Sequence, residues 1–127
     1  MNINIFNLNV DIDVESVLCM QRIGEKWLLI FHYEDDNADG SEYVKFYIGE
    51  GVQDCQVDVN EDIWVSYCDE GIFGESPIGA NGIVAFDSTG QLIFDSYDQY
   101  VEQYNIPYID DCYAMNVIDG DVWLYYY

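Results

Sequence analysis

The chain has 127 residues, of which 50% are hydrophobic and 17% aromatic, and it contains 25 acidic residues against three basic ones. A net charge of −22 excludes direct binding to nucleic acid or anionic membranes, because phosphate contacts require lysine and arginine. The hydrophobic fraction is sufficient for one folded domain over residues 1–127. The first 16 residues lack the basic segment and apolar core of a signal peptide, which predicts a cytoplasmic protein with reduced cysteines.

The first part of the chain predicts strands separated by polar turns. Apolar and polar residues alternate over residues 1–10 and again over 42–48, which is typical of half-buried strands. A Gly24-Glu25 turn separates two further apolar runs, and residues 34–41 form a polar loop. The strands expected here cover about 1–10, 16–21, 26–33 and 42–48.

The second part predicts hairpins, one long loop and one helix. Residues 69–82 contain four glycines and are expected to form the longest and most mobile loop. Residues 83–95 predict a hairpin that turns at 87–90, and residues 97–106 predict the one short helix. Further strands are expected at about 54–59 and 62–67, and at 111–117 and 121–126, the last pair turning at Asp119-Gly120.

Three segments repeat one pattern of a cysteine, a polar turn and a tryptophan. A cysteine precedes a tryptophan by 8 residues at Trp27, by 9 at Trp64 and by 11 at Trp123. The hairpins containing this pattern are expected near 16–33, 54–67 and 111–126. The predicted fold is therefore all-β, built from antiparallel hairpin repeats, with at most one short helix. Three of the four cysteines occupy equivalent positions in these hairpins, so we expect them in the core rather than at a zinc site.

Part of the chain resembles blades of uncharacterised bacterial β-propeller-like proteins. The resemblance rests on the segments WVSYCDEGIFG, GIVAFDSTGQLIF and DCYAMNVIDGDVWLYYY, covers about residues 50–127, and extends more loosely to 16–33. Propellers usually have at least about four blades, whereas this chain contains strands for two or three. The resemblance therefore implies either closure through oligomerisation or a compact sandwich or half-barrel.

Catalytic motifs are absent from the sequence, which predicts that the protein is not an enzyme. His32, the only histidine, lies in the apolar run WLLIFHY and is expected to be a strand residue. Serines lack a nucleophile-elbow context, and no glycine-rich phosphate loop is found. Adjacent acids such as Asp110-Asp111 are expected by chance in so acidic a chain.

The loop at 35–40 contains the one candidate metal site. Asp35, Asn37, Asp39 and Gly40 match positions 1, 3, 5 and 6 of a calcium loop. Position 12 is Phe46 rather than glutamate, so the EF-hand interpretation fails. A solvated loop is the main expectation, weak Ca²⁺ binding at Asp35, Asn37 and Asp39 is the alternative, and no other cofactor is expected.

Acidic residues cluster at the predicted turns and loop edges. Equivalent turns of a repeat project at the same end, so Glu61-Asp62 and Asp119-Asp121 are expected to line one rim. Such a row of carboxylates favours fast, salt-sensitive association with a basic protein. The expected partner-binding residues are Glu61, Asp62, Asp69, Glu70, Glu75, Asp110, Asp111, Asp119 and Asp121.

The acidity resembles, by composition only, that of phage-type DNA-mimic inhibitors. We therefore expect a non-enzymatic inhibitor that blocks a basic, nucleic-acid-binding surface of a partner protein. An anti-CRISPR protein, an anti-restriction protein and an immunity protein against a basic toxin nuclease all fit this description. The alternative is a propeller-like structural or ligand-binding module that forms a homo-oligomer and whose acidity serves solubility alone.

Overall fold

The computed structural model describes residues 17–31 and 46–127, and these contain eight strands and two short helices. The helices are α1 (Asp69–Ile72) and α2 (Tyr97–Tyr104), and a 3₁₀ turn spans Pro77–Gly79. The strands are β1 (Val17–Ile23), β2 (Lys26–Phe31), β3 (Val52–Val57), β4 (Ile63–Tyr67), β5 (Ile83–Phe86), β6 (Leu92–Phe94), β7 (Cys112–Ile118) and β8 (Asp121–Tyr126).

The described strands form three antiparallel sheets, so the predicted all-β class is confirmed. The central sheet is a four-stranded meander in the order β3-β4-β5-β6, and β1-β2 and β7-β8 are separate two-stranded sheets. We call β1-β2 the first hairpin, β3-β4 the second and β7-β8 the third. All three were expected from the cysteine and tryptophan repeat. In the second hairpin Gln56 lies opposite Trp64, and in the third Asn116 lies opposite Trp123.

The hairpin turns use the residues that the sequence predicts. Asp119 and Gly120, between β7 and β8, have φ values of 51° and 85°. Two central residues with positive φ give the twist that closes a two-residue hairpin, and Asp-Gly is a favoured pair for it. The turn between β3 and β4 also contains a residue with positive φ, Glu61 at 64°.

The hydrophobic core lies around the central sheet and includes residues of all three hairpins. Strand β4 has three consecutive buried residues at its end and β5 is buried throughout, because both are inner strands of the meander. Cys55 and Cys112 are fully buried and Cys19 packs against the core partly buried, as expected for small apolar side chains. Their register differs, however, because Cys55 lies opposite Val65 and Cys112 opposite Tyr126. Burial raises the pKa of both thiols, and all four cysteines are free.

The segment 69–82 differs from the predicted loop, because it contains α1 and the 3₁₀ turn. The carbonyl of Cys68 accepts hydrogen bonds from the N–H groups of Gly71 and Ile72, and Ile72 is buried. A single helical turn has no periodic sequence signal, since it ends before the pattern can repeat. The predicted helix at 97–106 is confirmed over Tyr97–Tyr104, and it ends at Asn105 in the left-handed conformation.

The strand predicted over 42–48 is wrong in its described part, because residues 46–48 are not in a strand. Phe46 packs on Phe86, with ring centroids 5.4 Å apart, and Tyr47 is exposed. The carbonyl of Ile48 accepts a hydrogen bond from the Tyr67 hydroxyl at 2.5 Å. Within 46–48, Phe46 and Ile48 therefore pack against the core without a paired strand. The strand expected at 1–10, the loop with Asp35, Asn37 and Asp39, and His32 lie outside the described residues.

Candidate functional site

The acidic turns of the second hairpin and of the β5-β6 hairpin lie at the same end of the central sheet. This follows from the meander, in which alternate turns share an end. The carboxylate of Asp58 organises the first of these turns. Its Oδ1 accepts the N–H groups of Asn60 and Asp62, and its Oδ2 accepts the indole N–H of Trp64 at 3.0 Å.

Asp87 has the equivalent role in the β5-β6 turn. Its Oδ1 accepts the N–H and hydroxyl of Thr89 and the N–H of Gln91, at 2.6 to 3.0 Å. These hydrogen bonds, led by the one from the Thr89 hydroxyl, lower the pKa of Asp87. An aspartate that bonds the backbone in this way fixes both the turn and its own carboxylate.

Asp62 lies close enough to these two carboxylates to be affected by their charge. Partial burial raises the pKa of Asp62, and the charges of Asp58 and then Asp87 raise it further. The acids at this end therefore repel one another. No lysine or arginine follows Lys45 in the sequence, so this stretch of chain supplies no base to neutralise them.

The turn of the third hairpin lies beside the start of β4. Gly120, Asp121 and Trp64 line the same shallow groove, which has a volume of about 420 Å³. Asp119 and Asp121 are exposed, and they occupy the same end as the turn of the second hairpin. This matches the expected shared rim of Glu61-Asp62 and Asp119-Asp121. We call the set the acidic turn rim, and it consists of Asp58, Glu61, Asp62, Asp87, Asp119 and Asp121.

The other predicted binding residues lie at the opposite end. Asp69, Glu70 and Glu75 follow β4, and Asp110 and Asp111 precede β7, so both groups are separated from the turn rim by a strand length. The N–H of Glu75 donates to Glu50 Oε1 at 2.6 Å, and the N–H groups of Asp110 and Asp111 donate to the carbonyl of Tyr127. We call these five the far-end acids. The predicted set of nine is therefore divided between two surfaces.

Two residues of the turn rim, Asp58 and Asp87, were not among the predicted binding residues. The sequence does contain a signal for them. Asp87 is followed by Ser, Thr and Gly in DSTG, and Asp58 is followed by Asn60 two residues on in DVNED. Both patterns are typical of a turn in which an aspartate side chain bonds backbone N–H groups ahead of it. Asp58 follows directly after β3, whose sequence is VQDCQV, and it lies outside the pair Glu61-Asp62 that marks the turn by charge.

Side-chain amides join the three hairpins and so position their turns. Gln21 in β1 donates to the carbonyl of Cys55 and accepts the N–H of Val57 at 3.0 Å. Gln56 in β3 makes the same pair of bonds with Met115 and Val117 in β7. Backbone groups of residues i and i+2 point to the same side of a strand, so each glutamine bonds one edge of the next hairpin.

The third hairpin has an exposed apolar face on the side away from the core. Ile118 is 50% exposed, Trp123 65% and Tyr125 70%, and Tyr113 packs on Tyr125 with ring centroids 5.8 Å apart. The opposite side, with Val122, Leu124 and Tyr126, packs against the core. We call the exposed side the outer face of the third hairpin, and it consists of Asn116, Ile118, Trp123 and Tyr125.

The tyrosines near α2 are mostly exposed, as an interface role would require. Tyr100, Tyr104 and Tyr108 are between 45% and 59% exposed. Tyr97 instead packs edge-on against Tyr126, and their hydroxyls are 2.7 Å apart. The helix therefore docks through Tyr97 and leaves its other tyrosines at the surface.

Within residues 17–31 and 46–127, no three side chains of histidine, cysteine, aspartate or glutamate are arranged to hold a metal ion. Neither helix of this part of the chain is long and apolar enough to cross a membrane.

Comparison with known proteins finds one partial similarity. The model of the YxzG family matches residues 83–127, from β5 through the third hairpin, and so covers 45 of the 127 residues. No curated protein and no solved structure matches the chain. The resemblances to propeller blades and to DNA-mimic inhibitors therefore stay predictions.

Proposed function

We propose that the chain is a non-enzymatic binding protein whose acidic turn rim occupies a basic, nucleic-acid-binding surface of a partner protein. The observation that supports this most directly is the position of six acidic residues on three turns at one end of the fold, in a chain with three basic residues. Like charges held this close cost folding stability. A basic partner removes that cost, which favours complex formation.

The rim is suited to the task because several of its carboxylates are fixed before binding. Asp58 and Asp87 are held by backbone and side-chain hydrogen bonds, so they lose little conformational freedom when a partner binds. Charge-assisted bonds from arginine and lysine on the partner then pair with the rim. A negative surface of this kind also accelerates encounter with a positive one.

A protein that naturally binds nucleic acid presents such a positive surface. Anti-CRISPR or anti-restriction activity, or immunity against a basic toxin nuclease, would each consist of occupying that surface so that nucleic acid cannot enter. The protein itself needs no catalytic group for this role.

The test is capture of a partner at low salt followed by elution in a salt gradient. We expect a basic, nucleic-acid-binding protein to elute at moderate salt. A rim variant, Glu61→Gln/Asp62→Asn/Asp119→Asn/Asp121→Asn, is then compared with a far-end variant, Asp69→Asn/Glu70→Gln/Glu75→Gln/Asp110→Asn. Both lose the same charge, so loss of capture by the rim variant alone supports the rim. Equal capture by a folded rim variant contradicts it.

The alternative, an oligomeric module, is favoured by a separate observation. The outer face of the third hairpin exposes aromatic side chains that the described residues do not cover. An uncovered aromatic face of this kind favours contact with another protein surface, and a second copy of the chain is one such surface.

A further inference from the structure

We propose that the chain associates head-to-tail with a second copy of itself. The outer face of the third hairpin would cover, in the neighbouring copy, the edge of β1 that pairs with no strand within residues 17–31 and 46–127. This goes beyond the function proposed above, and it shares Asp119 and Asp121 of the acidic turn rim with it. Contacts within one chain show how one hairpin covers another.

The contact between the second and third hairpins defines the geometry. Gln56 projects from β3 and bonds the carbonyl of Met115 and the N–H of Val117 at 2.7 and 2.8 Å. These backbone groups lie on the edge of β7 that β8 does not use. Gln21 of the first hairpin bonds the edge of β3 in the same way, through Cys55 and Val57. Each contact therefore joins a side-chain amide to the edge of the next hairpin's first strand.

Asn116 is the residue of the third hairpin that corresponds to Gln56. Each lies directly opposite the tryptophan of its hairpin, Gln56 opposite Trp64 and Asn116 opposite Trp123. Gln56 is covered by the next hairpin, whereas Asn116 is exposed. Within the described residues its side chain has no hydrogen-bond partner. In the first hairpin the bridging Gln21 lies opposite Leu28, and Arg22 lies opposite the tryptophan, so this correspondence joins the second and third hairpins only. By analogy with Gln56 and β7, the group that would cover Asn116 is the edge of another first strand.

The turns of the first and third hairpins differ in the same way as Gln56 and Asn116, because one turn is covered by a neighbouring hairpin and the other is not. A side chain built at Gly24, in the turn of the first hairpin, would touch the carboxylate end of the Glu61 side chain in the turn of the second. A side chain built at Gly120, in the turn of the third, would meet nothing within 4 Å. The turn of the first hairpin is therefore covered by the turn of the second, whereas the surface beside Gly120 in the turn of the third hairpin is uncovered.

A second copy of the chain provides the required strand and the required charge. Within residues 17–31 and 46–127, β1 pairs with β2 alone, and no hairpin precedes it there to bond its other edge. Arg22 and Lys26 flank the Gly24-Glu25 turn and are exposed. In the head-to-tail contact they would lie beside Asp119 and Asp121, the acids that flank Gly120. Burial of Trp123 and Tyr125 supplies the apolar contact.

The two surfaces of this contact differ, so the interface is heterologous. Each copy offers one outer face and one β1 edge. A variant that lacks the face can still accept a neighbour through its β1 edge, and a variant that lacks the edge can still offer its face. A symmetric, self-complementary dimer interface would not show this behaviour.

The first measurement is light scattering after size exclusion, over a range of protein concentrations in moderate salt, which screens the net charge of −22. We expect a mass at least twice the 14.7 kDa of one chain. The face variant Trp123→Ser/Tyr125→Ser and the edge variant Arg22→Glu/Lys26→Glu should each be monomeric. A 1:1 mixture of the two variants should form a dimer.

Matched controls separate this interface from general effects. Tyr100→Ser/Tyr104→Ser removes two exposed tyrosines elsewhere, and Gln53→Glu/Gln91→Glu/Gln99→Glu/Gln103→Glu adds the same negative charge as the edge variant. Both controls should keep the wild-type mass. Should the face variant unfold, as judged by circular dichroism, Asn116→Arg tests the same face. A monomeric wild type at every concentration, or variants that do not complement each other in the mixture, would overturn the proposal.

Discussion

The side-chain amide of Gln56 donates to the main-chain carbonyl of Met115 at 2.7 Å, 59 residues further along the chain. The same amide accepts the N–H of Val117 at 2.8 Å. It thus occupies the place that a neighbouring strand would take on this edge of β7. Because Gln21 does the same for β3, the three hairpins are joined by two such amides in addition to their apolar contacts.

Truncation of either bridging glutamine is expected to destabilise the fold. Gln56→Ala leaves a half-buried carbonyl and a half-buried N–H on β7 without partners, which should lower the free energy of unfolding by about 2 kcal/mol. Gln21→Ala should have a similar effect at β3. Urea denaturation followed by tryptophan fluorescence measures the change.

The matched control for this prediction is Gln53→Ala, in the same strand as Gln56. Gln53 is exposed, so its truncation should change the free energy of unfolding by less than about 0.5 kcal/mol. Equal stability of the Gln53 and Gln56 variants would show that the amides do not join the hairpins.

Two glycines with positive φ should respond very differently to alanine. Gly82 has a φ of 77°, and a Cβ there would lie 2.5 Å from the Cβ of buried Ile109. Gly120 has a φ of 85°, but a Cβ there meets open space. Gly120→Ala should therefore cost only the backbone strain, about 1 kcal/mol, and Gly82→Ala clearly more. Thermal denaturation compares them, and equal losses would mean that Ile109 moves freely away from residue 82.

Asp62 and Asp87 should change stability with pH in opposite directions. Because the folded-state pKa of Asp62 is raised above the ordinary 3.8, its charged form disfavours the fold, and stability is lost as pH rises through the raised pKa. Asp62→Asn should therefore increase the melting temperature at neutral pH. This advantage should disappear below about pH 3.8, where the wild-type carboxyl is protonated.

Asp87 has a lowered folded-state pKa, because Thr89 and the turn backbone bond its carboxylate. The stabilising contribution of Asp87 is present above pH 3.8, the ordinary pKa of an aspartate, and it is lost as the pH falls through the lower folded-state pKa. Asp87→Asn should therefore lower the melting temperature at neutral pH, and the difference should shrink in acid. Melting curves of both variants between acidic and neutral pH check the two signs together. A shift of the same sign in both would contradict the contacts assigned to the two turns.

The hairpins were predictable from the sequence because their signals are local. The Asp119-Gly120 pair and the Asp87 turn specify tight turns, and the alternation of β8 is visible in the exposed Trp123 and Tyr125 and the half-buried Leu124. The single turn of α1 is too short for any periodic signal. At 46–48, side chains that pack on the core without a paired strand produced a false strand pattern.

The candidate site was predicted only in part, because its geometry depends on contacts between distant segments. The repeat implies that equivalent turns share one end, and the structure places the turns of the second and third hairpins at one end, while their role in binding stays a prediction. The bonds of Gln21 and Gln56 to other hairpins have no sequence pattern, because any exposed glutamine has the same local signal. For the same reason the separation of the far-end acids from the acidic turn rim became clear only from the order of the strands.

The most direct test of the central claim is competition between this protein and duplex DNA for the captured partner. If the acidic turn rim occupies a nucleic-acid-binding surface, DNA should release the partner from the wild type and from the far-end variant. The rim variant should bind the partner at least tenfold more weakly, about 1.4 kcal/mol. Simultaneous binding of DNA and this protein to the partner, or equal affinity of the rim and far-end variants, would contradict the account.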